Sequence, residues 1–327
     1  MHVQTFSFRR SLLTACLGVS LWGVGGAALA SNEGPIRILV GFPAGGTIDI
    51  VARQLAEQMN ADLGVTVAVE TMTGAGGQLA AQALKRAAPD GRTLMLAPDH
   101  TMVILPLTVA KPGFDVKKDF TPISLVANYA GGLAVSQASG INTLSELIAR
   151  GKTDPAGVSV GISAPGSKPY FQLEALSKQL KTSLTPVPYR GSVPIVQDVS
   201  GGHLLAGITA LGDFLEFHRA GKLKVIAVTG GQRAQAMPEV PTAQELGYAM
   251  DMDFWVGLFA PAGTPAAVVE RLNQSVGKAL ASSKMRDRLT PLAFEAAGST
   301  PAAMSQRMDA EAKQWEPLVT ESGWVKQ

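Results

Sequence analysis

The chain has a single cysteine, Cys16, and only 6% of its 327 residues are Phe, Trp or Tyr. One cysteine cannot form a disulfide within a chain, so no bridge framework staples this fold. So few aromatics argue against a base-stacking platform or a sugar-binding cleft. Histidine is as scarce, with four residues, and no His-x-x-x-His or Cys pair offers zinc spacing. Charged residues make up 17%, split 28 basic to 26 acidic with no basic run, which argues against nucleic acid or an anionic membrane surface as partner. No phosphate loop with Lys-Ser/Thr, internal repeat, low-complexity tract or long polar linker occurs.

The first thirty residues read as an address. Arg9 and Arg10 precede an uncharged run from Ser11 to Ala27, and Ala28-Leu29-Ala30 has the small-x-small pattern of a signal-peptidase site. The run is shorter than the ~20 residues of a membrane span. A signal peptide over residues 1–30, cleavage after Ala30 and delivery to the periplasm are expected. Leu13-Thr14-Ala15-Cys16 resembles a lipoprotein box, but it follows Arg10 by only two residues. The Arg9-Arg10 pair also leaves twin-arginine export open. Taking thirty residues from 327 leaves 297, with 26 basic and 26 acidic side chains and no cysteine. That length suits about two domains.

From Ile36 onward one theme repeats: a short β-rich run, a Gly/Pro/Ser turn, then a helical pattern. Strands are expected at Ile36–Gly41, Val65–Val69, Thr93–Ala97, Ile123–Ala134, Val158–Ile162, Leu204–Thr209, Val225–Thr229 and Phe254–Ala260. After Thr47, the residues Ile48, Val51, Ala52, Leu55 and Met59 recur at helical spacing. Thr143–Glu146 and Thr242–Glu245 read as capping boxes, and helices are expected over Pro265–Ser282 and Pro301–Thr320. Such alternation predicts an α/β fold of right-handed βαβ units with a mostly parallel sheet. With no linker, two lobes would be joined by strands crossing at Ile123–Ala134 and near Val225–Thr229. The expected division is 31–128 with 226–327 as one lobe, and 129–225 as the inserted second.

Four strand-to-helix turns carry the chemistry: Phe42–Thr47, Thr73–Gly77, Ser163–Ser167 and Tyr189–Ser192. In a parallel sheet such turns gather at the carboxyl ends of the strands, where ligands bind. Helix starts offer unpaired N–H groups and partial positive charge to an anion. Asp49 reads either as a first-turn partner of Arg53 or as a ligand contact. Catalysis finds little support. Gly161-Ile162-Ser163-Ala164-Pro165-Gly166 misplaces the second glycine of a nucleophile elbow, and Gly74-Ala75-Gly76-Gly77 has Leu79 where a dinucleotide fingerprint needs glycine. No cofactor or metal is expected.

A set of segments resembles the Bug-type extracytoplasmic solute receptors, the binding component of tripartite tricarboxylate transporters. They are Ile38–Asp49, Gly74–Gly77, Pro89–Leu94, Val187–Gly191, Pro238–Thr242 and Gly257–Pro265, in family order. The resemblance implies a type II periplasmic-binding (Venus-flytrap) fold whose two lobes close on a small mono- or dicarboxylate. It further implies a monomer that meets membrane permease subunits transiently, with a ligand co-sensor as the alternative role. On the family pattern Phe42, Ala44, Gly45, Thr47 and Asp49 line one wall. Ser163, Ala164, Ser167, Tyr189, Gly191 and Ser192 line the other. The chain departs from many relatives at Lys168, which is expected to face solvent, and at Asp99-His100, where small hydroxylated residues are common.

Overall fold

The computed structural model describes residues 34–154, 156–250 and 252–327; the expected signal peptide, Cys16 and cleavage point lie outside the described residues. β1 (Ile36–Val40) is an almost unbroken apolar run, as a strand covered on both faces requires. α1 (Thr47–Leu63) buries Val51, Ala52, Leu55, Ala56 and Met59 along one stripe. Gly64 ends it in the left-handed region (φ 67°), its N–H bonding the Asn60 carbonyl. β2 (Val67–Thr71), α2 (Gln78–Arg86) and β3 (Thr93–Pro98) continue the alternation. A wide π turn, His100–Ile104, then leads into α3 (Leu105–Thr108). α4 (Val116–Asp119) is a single turn capped by Asp115, and it delivers the chain into the 17-residue strand β4 (Phe120–Ser136).

The second series comprises α5 (Leu144–Thr153), β5 (Val158–Ile162), α6 (Lys168–Leu180), β6 (Leu184–Pro188), α7 (Ser192–Gly201), β7 (Ala206–Ala210), α8 (Leu211–Arg219) and β8 (Leu223–Val228). The chain closes with β9 (Asp253–Pro261), α9 (Ala266–Ala281), α10 (Ser283–Leu289), β10 (Phe294–Ala296) and α11 (Pro301–Glu321).

The strands lie in the order β2-β1-β3-β9-β4-β7-β5-β6, with β10 and β8 also on β4. The outer ends are parallel, β1 with β2 and β3, β5 with β6 and β7. The middle is antiparallel, more so than simple βαβ alternation predicts. β4 and β9 are the reason, because each runs against its neighbours. The first half of β4 pairs β9 and β10, and from Gly131 onward it pairs β7 and β8. One strand thus serves both halves of the molecule.

β8 lies beside the second half of β4, from Leu223 opposite Ser136 to Val228 opposite Gly132. The Thr143 box opens α5 with both reciprocal bonds in place. The Thr242 box forms too, but it starts only a turn, because Gly247 (φ 83°) stops the chain before a second turn can add packing. The short elements α8, α10 and β10 are absent from the sequence expectation. Apolar cores lie on both sides. Leu55 of α1 and Val276 of α9 cluster with Ile38, Leu94 and Val256 of the sheet, and Phe214 and Leu215 of α8 cluster with Val228.

Candidate functional site

The turns after β1, β3, β5, β6 and β7 face one another around a cavity open to solvent. Their approach is close. A methyl group placed on Gly46 would sit 3.2 Å from Ser192 Oγ, and one on Gly191 would sit 2.4 Å from Pro43 Cδ. The turn Phe42–Thr47 and the turn Tyr189–Ser192 therefore meet across the cleft.

Of the expected site residues, Phe42, Asp49, Ser163, Ala164, Ser167 and Ser192 line this cavity. Tyr189 and Gly191 line an adjoining hollow shared with Phe42 and Ser163. The Tyr189 hydroxyl donates to Asp198 Oδ2 at 2.7 Å, and burial with that bond pushes its pKa up to about 12. Ala44, Gly45 and Thr47 line neither space. Ala44 is exposed, and the Gly45 N–H donates to Asp49 Oδ2 at 3.0 Å. Asp49 also accepts from Arg53 Nε at 2.9 Å, so the helix-pair reading of Asp49 is realised while its Oδ1 remains buried without a partner.

Thr47 is occupied by the protein itself. Its N–H and its hydroxyl both donate to Asp213 Oδ1, at 2.9 and 2.6 Å, across the cleft from the start of α8. Asp213 Oδ2 accepts from Thr209 Oγ1 at 2.9 Å, and Ser163 Oγ donates to Thr209 Oγ1 at 3.2 Å. Burial raises the Asp213 carboxyl, against hydrogen bonds from Thr47, Thr209 and Ser192 that lower it. The start of α1 is therefore already answered by a protein carboxylate. The sequence reading missed Asp213 because the β7–α8 turn has no Gly/Ser/Pro cluster. The available signal was an acidic residue four positions past Thr209, at the close of a strand run.

The Lys168 expectation is corrected outright. Lys168 is 3% exposed, and its ammonium forms ion pairs with Asp99 (2.5 Å) and Glu311 and donates to the Asp253 carbonyl at 2.7 Å. It also lies 5.3 Å from the Phe254 ring centre and 5.6 Å from that of Trp315. Lys168 opens α6 and is followed by Pro169 in the first helical turn, and both are buried. Burial alone would depress the Lys168 pKa, yet the two carboxylates hold it above its ordinary value. Burial pushes Asp99 up to about 6 against the pull of Lys168, with Glu311 adding to the rise.

Asp99 and His100 also border the cavity, beside Tyr129 and Phe254. Tyr129 stacks between Phe254 (5.3 Å) and Phe294 (4.4 Å), and burial raises its phenol well above the ordinary range. His100 keeps some surface open, but the protein crowding it, with Lys168 nearby, lowers its pKa to about 4. A free histidine titrates near 6.5, so the unfolded chain takes up this proton first. Stability from His100 is thus present above pH 6.5 and lost as pH falls toward 4. Asp99 has the opposite sign, adding stability as pH falls from about 6 toward 3.8. His100→Asn is expected to gain stability relative to the parent between pH 6.5 and 4. Urea unfolding across that range measures it, and parallel profiles would refute the assignment.

Among the described residues no cluster of His, Cys, Asp and Glu could hold a metal, and no helix is long and apolar enough to cross a membrane.

The chain's place among known proteins is clear. Residues 51–324 match the model of the TctC family, described as the tripartite tricarboxylate transporter family receptor. The chain is 31% identical to the protein BugT of Bordetella pertussis over 322 residues, which cover 95% of this chain and 97% of that protein. It superposes on the periplasmic binding protein BugD with a TM-score of 0.85 at 31% identity, covering 90% of this chain and 99% of the other. It superposes on MatC of Rhodopseudomonas palustris, solved with bound malate, with a TM-score of 0.81 at 32% identity, over 88% of this chain and 99% of that one. The mixed sheet, the flanking helices and the cleft between them are those of a periplasmic binding protein, and the chain belongs to the TctC/Bug family of solute-binding receptors, which is not a family of enzymes.

Proposed function

We propose that this chain captures a small organic acid in the periplasm and presents it to the permease subunits of a tripartite carboxylate transporter. Export would remove residues 1–30 and leave a monomer of two lobes, residues 31–128 with 226–327 and residues 129–225, hinged at β4 and the passage into β9. The observation that carries the reading is the convergence of strand-to-helix turns on one cavity, in a chain that is 32% identical to a receptor with bound malate. With the start of α1 taken by Asp213, the ligand carboxylate is assigned to the starts of α6 and α7. Ser167 Oγ, buried and without a partner, is its first hydroxyl donor. Ser163 and Ser192 stand beside it on the same wall.

The test is a thermal-shift screen of refolded, ligand-free protein against mono-, di- and tricarboxylates, malate included. A ligand that binds only the folded state at a hundred times its Kd adds about 2.7 kcal/mol. A melting temperature unmoved by every acid in the panel would sink the proposal.

A further inference from the structure

Among the described residues three carboxylates, Asp49, Asp99 and Asp213, line the cavity, and no lysine or arginine does. Their charges are unequally balanced. Asp49 is paired with Arg53. Asp99 shares the single Lys168 with Glu311, so that buried trio carries one net negative charge. Asp213 is held by hydroxyl and amide donors, which carry no formal charge. The wall around the ligand space is therefore net negative.

The unpaired atoms point the same way. Asp49 Oδ1, Asp99 Oδ1 and His100 Nδ1 are buried without a hydrogen-bond partner, and all three residues border the cavity. Asp49 and Asp99 are 2% and 1% exposed. An ionised carboxylate accepts only, so these oxygens call for donors from the ligand. A plain di- or tricarboxylate brings acceptors and more negative charge, and would leave them unsatisfied. An ammonium brings three donors and a positive charge.

We propose that the ligand is an amino carboxylate, whose carboxylate takes the starts of α6 and α7 while its cationic nitrogen sits against Asp99. This rests on the carboxylate-capture reading above and narrows it. Phe42, Ile48, Ile208 and Phe254 supply an apolar lining for the body of such a ligand.

The experiment is isothermal titration of refolded protein with matched pairs that differ only in the amino group: aspartate and succinate, glutamate and glutarate, leucine and 4-methylpentanoate, phenylalanine and 3-phenylpropanoate. The amino member of the best pair is expected to bind at least tenfold more tightly. In Asp99→Asn, which leaves Lys168 paired with Glu311, that preference should fall below threefold. A second readout needs no variant. Asp99 faces Lys168, Glu311, His100 and Tyr129, and the amino member's affinity should weaken as pH falls through 6 while its partner's does not. Equal or tighter binding of the plain acid in every pair overturns this inference and leaves carboxylate capture standing. Binding by neither member of any pair overturns both.

Discussion

Lys168→Met is expected to lower the unfolding free energy by about 3–5 kcal/mol, the usual cost of leaving a buried charge without its partner. Two carboxylates would be stranded, Asp99 at 1% exposure and Glu311 at 11% for its side chain. For a protein of this size the loss should appear as a fall of roughly 10 °C in melting temperature. Removing all three charges together, as Lys168→Met, Asp99→Asn and Glu311→Gln, should restore most of that loss, because a buried pair replaced by neutral groups is often near neutral in cost. Urea unfolding of the two variants beside the parent decides the matter. A single variant as stable as the parent would mean that the trio is solvated in solution.

Gly191→Ala is expected to weaken ligand binding at least tenfold, with a smaller effect on the melting temperature. Gly191 has φ 101° and ψ −177°, a region essentially reserved for glycine, so any side chain there costs about 1–3 kcal/mol of backbone strain. Its new methyl would also press on the Pro43 ring, 2.4 Å from Cδ and 2.9 Å from Cγ, across the cleft. Gly45→Ala is the control. Gly45 has φ 82° but nothing within 4 Å of an added methyl, so it carries backbone strain without the wedge. Titration calorimetry should separate the two, and small-angle scattering should show Gly191→Ala as the more open molecule. Parent-like affinity in Gly191→Ala would show that the two turns need not meet for binding.

Much of the fold was legible because segments such as α1 repeat apolar residues at helical spacing and stop at a glycine. What escaped was decided by tertiary packing. β10 is three residues long and pairs Tyr129, Asn128 and Ala127 of β4 along the edge opposite β9, a partnership set by the folded sheet. In the site, the glycine- and serine-rich turns were readable, since their composition announces the backbone they need. Lys168 was not, because nothing local to a lysine says which way its stem will run. Its burial depends on Asp99 and Glu311, which lie far away in sequence and meet only in the folded chain. Asp213 was hidden for a related reason: its partner Thr47 belongs to the opposite side of the cleft.

The path of the sheet also sets when the molecule can fold. β3 and β4 do not pair with each other; β9 lies between them, matching Met95 to Phe259 and Phe120 to Pro261. The first half of the sheet is therefore incomplete until the chain has emerged past Pro261. Before then the apolar edges of Leu94–Ala97 and Ile123–Ala127 have no permanent neighbour. Closing such distant pairings is entropically costly and slow. A chain cut before β9 should collapse without this architecture and aggregate through those edges.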